Sequence, residues 1–419
     1  MAVMIRIVIF FAASGFCSRS PVVSGLNLLP WFSFDKNIHA DPDVYLQTLE
    51  LIRKNGYPAE AHVVETEDGY LLTVHRIPQD NAPTVLLQHG LLGSSADWVF
   101  SGKEKALAYI LSDAGYDVWL GNVRGNTYSR SHVNLTISDP QYWNFSWHEM
   151  GVYDLPAVIR YIAERKKDNK LFYIGHSMGT TMFYVMASER PEITKGIQVM
   201  LSLAPVAFMT HVRSPIRLIA PFAKDIEIVT ELLGANEFLP QNTFLRVLAK
   251  YVCDKVNWEK ELCANIFFIF SGFDQAEFND TLIPVILGHS PAGTSTRTVV
   301  HYAQEIQSGE FRQFDYGSST NKRVYNNTTP PSYDLTKINV PVAIYYADND
   351  WLASVNDVLR FYTKLPIKAG KYRVPYPKFS HLDFLWAIDA PSMIYTRVLS
   401  MLQQYKISVD PVYLQNLGK

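Results

Sequence analysis

The sequence is short of cysteine, has almost no net charge and contains no long run of apolar residues. Three of its 419 residues are cysteine, and 38 basic side chains stand against 40 acidic ones, a formal net charge of -2. This balance argues against a nucleic-acid-binding protein, because a phosphate-reading surface normally shows as a basic excess. Hydrophobic residues make up 48% and charged residues 19%, so the chain has enough apolar material for a large core and not the composition of a disordered protein.

A short apolar run near the N-terminus, residues 7–16, follows the single positive charge of Arg6. A helix that crosses a bilayer needs roughly 20 apolar residues, and no uninterrupted segment of the sequence reaches that length. The pattern is typical of a signal peptide over residues 1–20, with cleavage between about residues 15 and 25. We therefore expect a protein of the secretory pathway, extracellular or lysosomal, without a transmembrane anchor; an N-terminal anchor is the alternative.

Secretion changes how the cysteines are interpreted. Cys17 falls within the predicted signal peptide, which leaves Cys253 and Cys263 as an even pair. Oxidising conditions favour a disulfide between them. Neither lies in a C-x-x-C pattern or beside a histidine cluster, so we expect no metal site. Five acceptor sequons for N-glycosylation, of which the last two overlap, are present at Asn134, Asn144, Asn279, Asn326 and Asn327.

Strand-like and helix-like segments alternate along most of the chain. Residues 61–66 and 70–76 alternate in polarity around Asp68-Gly69, which predicts an antiparallel hairpin. Short apolar runs typical of strands buried on both faces follow at residues 84–88, 116–120, 171–174, 197–203, 340–346 and 371–374. A closing helix is expected after Pro391. This alternation predicts an α/β fold with a mostly parallel central sheet flanked by helices.

The alternation of strand-like and helix-like segments stops between residues 207 and 332. There, helix-like apolar stretches alternate with long polar loops, and no buried strand is predicted. We interpret this segment as a cap and lid inserted into one elaborated core. The core would then consist of residues 21–206 and 333–419. The sequence has no internal repeat and no low-complexity linker, which argues against independent tandem domains.

The most informative motif is GHSMG at residues 175–179, directly after the strand predicted at 171–174 and before a helical stretch. It matches the G-x-S-x-G turn that lifts a nucleophilic serine off a sheet in a strand-turn-helix setting. Glycine is needed on both sides because strand and helix approach too closely there for Cβ atoms. The motif predicts Ser177 as a catalytic nucleophile.

A serine hydroxyl needs a base within hydrogen-bond reach and an acid that orients the base. In this class of fold the chain order is serine, acid, histidine. Asp350 follows a predicted strand and is the candidate acid, with Asp348 as the alternative, and His381 lies past the last predicted strand and is the candidate base. Among other histidines, His176 is interpreted as structural and His301 as part of the cap.

Acyl transfer also needs hydrogen-bond donors for the oxyanion that develops in the tetrahedral intermediate. Two backbone amides are candidates. One belongs to Met178, at the start of the helix after the serine, and the other to Leu91, in the loop HGLLG at residues 89–93 after the predicted strand 84–88. The alternative for the loop is a glycine turn without a catalytic role.

Six co-linear segments together resemble the acid lipase family of animals, within the α/β-hydrolases. They are NGYPAE (55–60), TEDGY (66–70), HGLL (89–92), GHSMGTT (175–181), HSPAGTS (289–295) and HLDF (381–384). The resemblance runs from about residue 41 to residue 404. It implies an α/β-hydrolase fold with a helical cap, Ser177 as nucleophile, Asp350 as acid and His381 as base. It also implies Leu91 and Met178 as oxyanion donors and the bridge between Cys253 and Cys263.

The sequence departs from the family at three positions. Met178 replaces a common glutamine after the serine, Ser354 stands where a second acid is common, and Gly272 occupies the place of a third cap cysteine in gastric-type members. None of these changes removes a triad residue or a backbone oxyanion donor.

These features predict a serine lipase that hydrolyses carboxylic esters of neutral lipids, acylglycerols and sterol esters, without a cofactor. The expected partner is a lipid ester at an oil-water or membrane surface, because the predicted cap carries apolar residues that such a surface could receive. They are Ile216, Leu218, Ile219 and residues 267–270. A catalytically silent lipid-binding or yolk-type protein and an esterase for short soluble esters are the alternatives.

Overall fold

The structure is a computed structural model that describes residues 41–166, 170–222, 236–239 and 270–407. Within these ranges a nine-stranded sheet runs in the order β1-β2-β4-β3-β6-β7-β10-β11, and β5 pairs with β2. The strands from β4 to β11 along this order pair in parallel, whereas β1, β2 and β5 form antiparallel pairs at one side. This arrangement confirms the predicted α/β fold.

The strands differ in burial according to their place in the sheet. They are β1 Glu60–Glu65, β2 Tyr70–Ile77, β3 Thr84–Gln88, β4 Asp117–Leu120, β5 Ser131–His132, β6 Leu171–His176, β7 Ile197–Leu203, β8 Glu237–Phe238, β9 Thr294–Ser295, β10 Val342–Tyr346 and β11 Lys368–Arg373. Every residue of β3, β4, β6 and β10 is buried, as continuous apolar runs require when helices cover both faces of a parallel sheet.

Helices connect the parallel strands. The α-helices are α1 Thr48–Lys54, α2 Leu107–Asp113, α3 Trp147–Glu149, α4 Leu155–Ala163, α5 Met178–Glu189, α6 Ile216–Ile219, α7 Ile283–His289, α8 Thr296–Ser308, α9 Ser318–Val324, α10 Val355–Lys364, α11 Asp383–Trp386 and α12 Thr396–Ile407. Helix α5 is buried along most of its length because it packs behind the sheet at the centre of the molecule. The predicted closing helix is α12, which a π-helical turn at Pro391–Tyr395 precedes.

The predicted strands match the sheet, with one correction. The expected antiparallel hairpin is the β1–β2 pair, and the apolar runs at 84–88 and 197–203 coincide with β3 and β7. The run at 371–374 was predicted to be buried on both faces, which is wrong. Residues 371–373 of this run lie in β11, whose residues are exposed or half-buried, and only Val374, just past the strand, is buried. The reason is that within the described residues β11 pairs only with β10 and forms an edge of the sheet.

A buried ion cluster connects the hairpin turn to the core. The Arg124 side chain is fully buried and donates to both carboxylate oxygens of Asp68, at 2.6 and 2.8 Å, and to Asp154 at 2.7 Å. Burial raises the pKa of Asp154 to about 6, against the opposing effect of Arg124. A buried charge needs such partners because its desolvation is costly, so the cluster fixes the β1–β2 turn against the body of the sheet.

The segment predicted as a cap, residues 207–332, is described over 207–222, 236–239 and 270–332. These parts contain α6 to α9 and the short antiparallel pair of β8 and β9. Cys253 and Cys263, residues 267–269 and the predicted signal peptide lie outside the described residues. None of the helices in the described ranges has both the length and the apolar character that a bilayer span requires.

Candidate active site

Four loops that carry the candidate site residues meet at one edge of the sheet. They follow β3, β6, β10 and β11, which are parallel to one another. The carboxyl ends of parallel strands lie at the same edge, which is where open α/β sheets bind their ligands. The fold therefore collects segments that are far apart in the sequence.

Ser177 lies at the sharp turn between β6 and α5. Its φ of 51° falls in the left-handed region, which residues other than glycine rarely adopt. A Cβ atom at Gly179 would lie 2.3 Å from the carbonyl oxygen of Gln88, and one at Gly175 would lie 2.8 Å from the backbone of Gly179. Only glycine allows α5 to approach β3 and β6 this closely, and the turn that results carries the serine.

The side chains of Ser177, His381 and Asp350 form a continuous chain of hydrogen bonds. Nδ1 of His381 lies 2.8 Å from Oδ2 of Asp350, and Nε2 lies 2.8 Å from the Ser177 Oγ. Because the Asp350 carboxylate accepts, Nδ1 carries the proton and Nε2 is free to accept from the serine hydroxyl. The structure therefore brings the three predicted residues together in the order that nucleophilic catalysis requires.

Asp350 and its alternative, Asp348, have different surroundings. The second oxygen of Asp350 accepts from the backbone amides of Leu352 at 2.9 Å and Ala353 at 2.7 Å, and the residue is 1% exposed. Asp348 instead forms an ion pair with Arg373 at the surface. The carboxylate that contacts the imidazole is that of Asp350.

The two candidate oxyanion donors belong to segments next to Ser177. Met178 is the first residue of α5, and Leu91 lies in the loop after β3. Within the described residues neither backbone amide donates a hydrogen bond. A Cβ at Gly90 would lie 3.0 Å from the Cβ of Ser177, so the glycine brings the loop directly against the serine.

His89 fixes this loop, a role that the motif alone did not indicate. Its Nδ1 donates to the Gly90 carbonyl at 2.8 Å, and its Nε2 accepts from the amide of Val123 and the side chain of Asn126, both at 3.3 Å. Burial lowers the pKa of His89 to about 4, which keeps the ring neutral, as an acceptor at Nε2 requires. The sequence signal was the histidine that directly follows a buried strand.

A second segment holds the same loop from the side of the predicted cap. The amide of Ala292 donates to the Leu92 carbonyl at 2.7 Å, and Leu92 has a φ of 60°. The Ser290 hydroxyl lies 3.3 Å from Oδ1 of the buried Asp97, which also accepts from the loop at the amide of Ser94. The HSPAGTS motif thus contacts the loop that carries Leu91, which only the tertiary structure reveals.

The two histidines that the sequence interpretation set apart from the triad, His176 and His301, are both buried. Nε2 of His176 donates to the carbonyl of His381 at 2.9 Å, and burial lowers the pKa of His176 to about 3. His176 therefore supports the backbone of the base rather than titrating near neutrality. His301 lies on α8 and stacks on Trp147, with ring centroids 3.6 Å apart. Its Nε2 donates to the Arg312 carbonyl at 3.0 Å, and its Nδ1 lies 2.9 Å from the Ser146 hydroxyl.

A buried pair of carboxyl groups lies next to the base and was not predicted. Asp383, two residues after His381, is 3% exposed, and burial raises its pKa to about 8. The carboxylate of the buried Asp274 adds to this rise in the pKa of Asp383, because two nearby carboxyl groups disfavour a second negative charge. The signal that could have indicated it was an acid within an otherwise apolar HLDF segment.

The remaining predicted sites concern metals and glycans. Among the described residues, no group of three or more histidine, cysteine, aspartate or glutamate side chains is arranged to hold a metal ion. Four of the sequon asparagines are exposed, namely Asn134, Asn144, Asn326 and Asn327. The fifth, Asn279, is half-buried.

The chain is similar to families and proteins that share this fold. A family model described as a partial α/β-hydrolase lipase region matches residues 48–102, and a model of the α/β-hydrolase fold matches residues 83–226. An X-ray structure of a Burkholderia cenocepacia protein, provisionally assigned as an aryl esterase, aligns over 83% of this chain and 99% of its own, with a TM-score of 0.50 and 16% identity. At that identity the likeness concerns the fold alone.

Relatives with much higher identity are animal proteins. Lipase 3 of Drosophila melanogaster is 42% identical over 365 residues, 85% of this chain and 93% of the relative. Human lysosomal acid lipase/cholesteryl ester hydrolase is 39% identical over 375 residues, 87% of this chain and 93% of the relative. Human lipase member M is 37% identical over 404 residues, 92% of this chain and 94% of the relative.

Proposed function

This chain belongs to the family of animal lipases that includes lysosomal acid lipase, and from that membership we propose that it hydrolyses carboxylic esters of neutral lipids. The substrates are acylglycerols and sterol esters, and the catalytic residues are Ser177, His381 and Asp350. The observation that carries the proposal is the chain of two hydrogen bonds, each 2.8 Å, that joins these side chains at the carboxyl edge of the sheet. That arrangement matches the roles of nucleophile, base and orienting acid.

The reaction follows from these roles. The Ser177 Oγ attacks the ester carbonyl carbon while its proton passes to Nε2 of His381, and Asp350 stabilises the imidazolium that forms. The tetrahedral intermediate collapses, the bond to the alcohol oxygen breaks, and His381 protonates that oxygen as the alcohol leaves. Water then attacks the acyl-enzyme through the same base, which returns the proton to the serine and releases the carboxylic acid.

The negative oxygen of both intermediates is bound by the amides of Leu91 and Met178. Two features support this assignment. Met178 directly follows the serine and Leu91 directly follows Gly90, which lies against the serine, and neither amide donates elsewhere within the described residues. His89 and Ala292 hold the loop of Leu91 from two sides, so the donors are fixed before substrate binds. Preorganised donors of this kind stabilise a developing oxyanion without reorganisation during the reaction.

Residues 207–332 form the cap over this site, and the lipid surface is received there. Contacts between this segment and the core support the assignment, such as the hydrogen bond of 3.0 Å between Tyr302 on α8 and Thr181 on α5. Leu218 is 61% exposed and Phe270 is 39% exposed, which is the exposure expected of apolar side chains that meet a lipid surface. Ile216 instead packs against the core.

The protein enters the secretory pathway and resides outside the cell or in the lysosome. The apolar run at residues 7–16 and five sequons support this route, as does the lysosomal relative. Cys253 and Cys263 form a disulfide under the oxidising conditions of the secretory pathway. Mass measurement of the secreted protein before and after removal of N-glycans, with and without reduction, tests the cleavage, the glycans and the bridge together.

Replacement of the nucleophile tests the proposed reaction. Ser177→Ala should abolish hydrolysis of triacylglycerol emulsions and cholesteryl oleate and should prevent labelling by an active-site phosphonate. Ser188→Ala is the matched control, because Ser188 is a buried serine of α5, the helix that follows Ser177, without a hydrogen-bond partner among the described residues. Full activity of Ser177→Ala would contradict the proposal. A wild-type protein that neither hydrolyses esters nor reacts with the phosphonate would favour a binding protein, and wild-type activity confined to short soluble esters would favour the esterase alternative.

A further inference from the structure

A short strap, residues 271–274, connects the loop of the acid to the loop of the base. The carbonyl oxygen of Ser271 accepts from the backbone amide of Trp351 at 3.2 Å and from the amide of His381 at 3.3 Å. Trp351 directly follows Asp350. A single carbonyl of the strap therefore hydrogen-bonds both to the neighbour of the acid and to the base itself.

The side chain of Asn349 hydrogen-bonds to the same strap, to the loop of the base and to its own loop, the loop of the acid. Its Nδ2 donates to the carbonyl of Phe273 in the strap at 2.9 Å and to the carbonyl of Lys378 in the base loop at 2.7 Å. Its Oδ1 accepts from the indole nitrogen of Trp351 at 3.1 Å. Both donors of the amide and its acceptor are used, each toward a different residue.

The strap approaches the acid loop so closely that only glycine fits at its second position. Gly272 has a φ of +116°, and a Cβ atom there would lie 2.1 Å from the carbonyl oxygen of Asn349. Any side chain at this position in this chain would displace the loop. The close approach brings the Phe273 carbonyl within reach of the Asn349 amide.

We propose that Asn349 is a positioning residue, whose amide holds the acid loop and the base loop together so that Asp350 and His381 keep hydrogen-bond contact. This inference rests on the proposed function of the triad. Asn349 is the residue before Asp350, and Lys378 lies three residues before His381, so the two bonds of Nδ2 act close to the reacting groups. At position 349 an aspartate, which has the same shape, would place a carboxylate oxygen against the carbonyl oxygens of Phe273 and Lys378. An aliphatic side chain there would leave both carbonyls without this donor.

The test removes the amide and measures catalysis on a soluble ester, so that binding to a lipid surface does not enter. Asn349→Leu should lower kcat on the order of 10- to 100-fold, the effect expected when catalytic groups are misplaced by a fraction of an ångström to 1 Å, while KM changes less than about twofold because no substrate contact is lost. Gln275→Leu is the matched control, since Gln275 is an exposed amide next to the strap; it should keep the wild-type kcat.

A double-mutant cycle distinguishes positioning from a general structural role. In an Asp350→Asn background the acid no longer supports the base, so Asn349→Leu should add less than about a threefold further loss. Gly272→Ala, which displaces the same loop by a different route, should show the same pattern. If Asn349→Leu does not fold, Asn349→Ser removes the same two bonds with a smaller, polar side chain.

Three results would overturn the inference. The first is a wild-type kcat in Asn349→Leu, and the second is a loss of kcat that a lower folded fraction in thermal unfolding explains. The third is a double variant whose loss of kcat equals the product of the losses in Asn349→Leu and Asp350→Asn. Failure of the inference is separable from failure of the proposed function. An active Ser177→Ala protein contradicts the function, whereas an inactive Ser177→Ala protein with a normal Asn349→Leu protein contradicts only the role of Asn349.

Discussion

Replacement of Asp350 by asparagine should reverse the tautomer of the catalytic histidine. Oδ1 of Asp350 accepts from the amides of Leu352 and Ala353, and Oδ2 faces Nδ1 of His381 at 2.8 Å. In Asp350→Asn the amide oxygen stays with the two backbone donors, so the NH₂ group faces the histidine. Nδ1 must then accept, the ring proton moves to Nε2, and the base can no longer take the proton of Ser177.

The expected loss in kcat is about 10⁴-fold, the magnitude known for the corresponding substitution in a Ser-His-Asp protease, where the geometry stays intact and the tautomer is wrong. This corresponds to about 5 kcal/mol of lost transition-state stabilisation. The assay is the steady-state hydrolysis of a short soluble ester, with circular dichroism to verify that the variant is folded. The shape of the side chain is kept, so we expect KM to change little.

Asp348→Asn is the matched control for this prediction. It removes the same charge two residues away, but its partner Arg373 is largely exposed, with a side chain 61% accessible, and surface ion pairs contribute only about 0–1 kcal/mol. We expect a change in kcat of less than about threefold. If Asp350→Asn retained a tenth or more of the wild-type rate, or if both variants were equally impaired, the assignment of the acid would be refuted.

Three further predictions concern stability and are checked by equilibrium unfolding. Gly179→Ala brings a Cβ within 2.3 Å of the Gln88 carbonyl oxygen and should lower the free energy of unfolding by about 1–3 kcal/mol; an unchanged value would show that β3 and α5 can move apart. Arg124→Met leaves the buried Asp154 without its partner and should cost about 3–5 kcal/mol, whereas a loss below 1 kcal/mol would mean that water reaches the carboxylate. Burial raises the pKa of Asp383 to about 8, so the folded state holds a proton that the unfolded state releases above about pH 4, and stability from this group should fall as pH rises from 4 to 8. Asp383→Asn should flatten that dependence, and an equal slope in both proteins would contradict it.

The sequence predicts the architecture because its signals are local. The fully buried strand β3 and the mostly buried strand β7 coincide with predicted apolar runs, and the glycines around Ser177 are a direct consequence of a close turn between strand and helix. The error at β11 has the same origin. A run of neighbours does not reveal whether a strand has partners on both sides, and β11 is an edge strand within the described residues.

By itself, the sequence determined that this chain folds around a mostly parallel sheet, that a serine lies on a glycine-flanked turn after one strand, and that candidate acids and bases follow later strands. The tertiary structure decided which of them meet. Ser177 and His381 are 204 residues apart and Asp350 and His381 are 31 apart, so their contact depends on strand order. Burial and the approach of distant segments also decided the raised pKa of Asp383 and the three bonds of Asn349. These depend on which chain segments exclude water and supply donors, and no local pattern records that information.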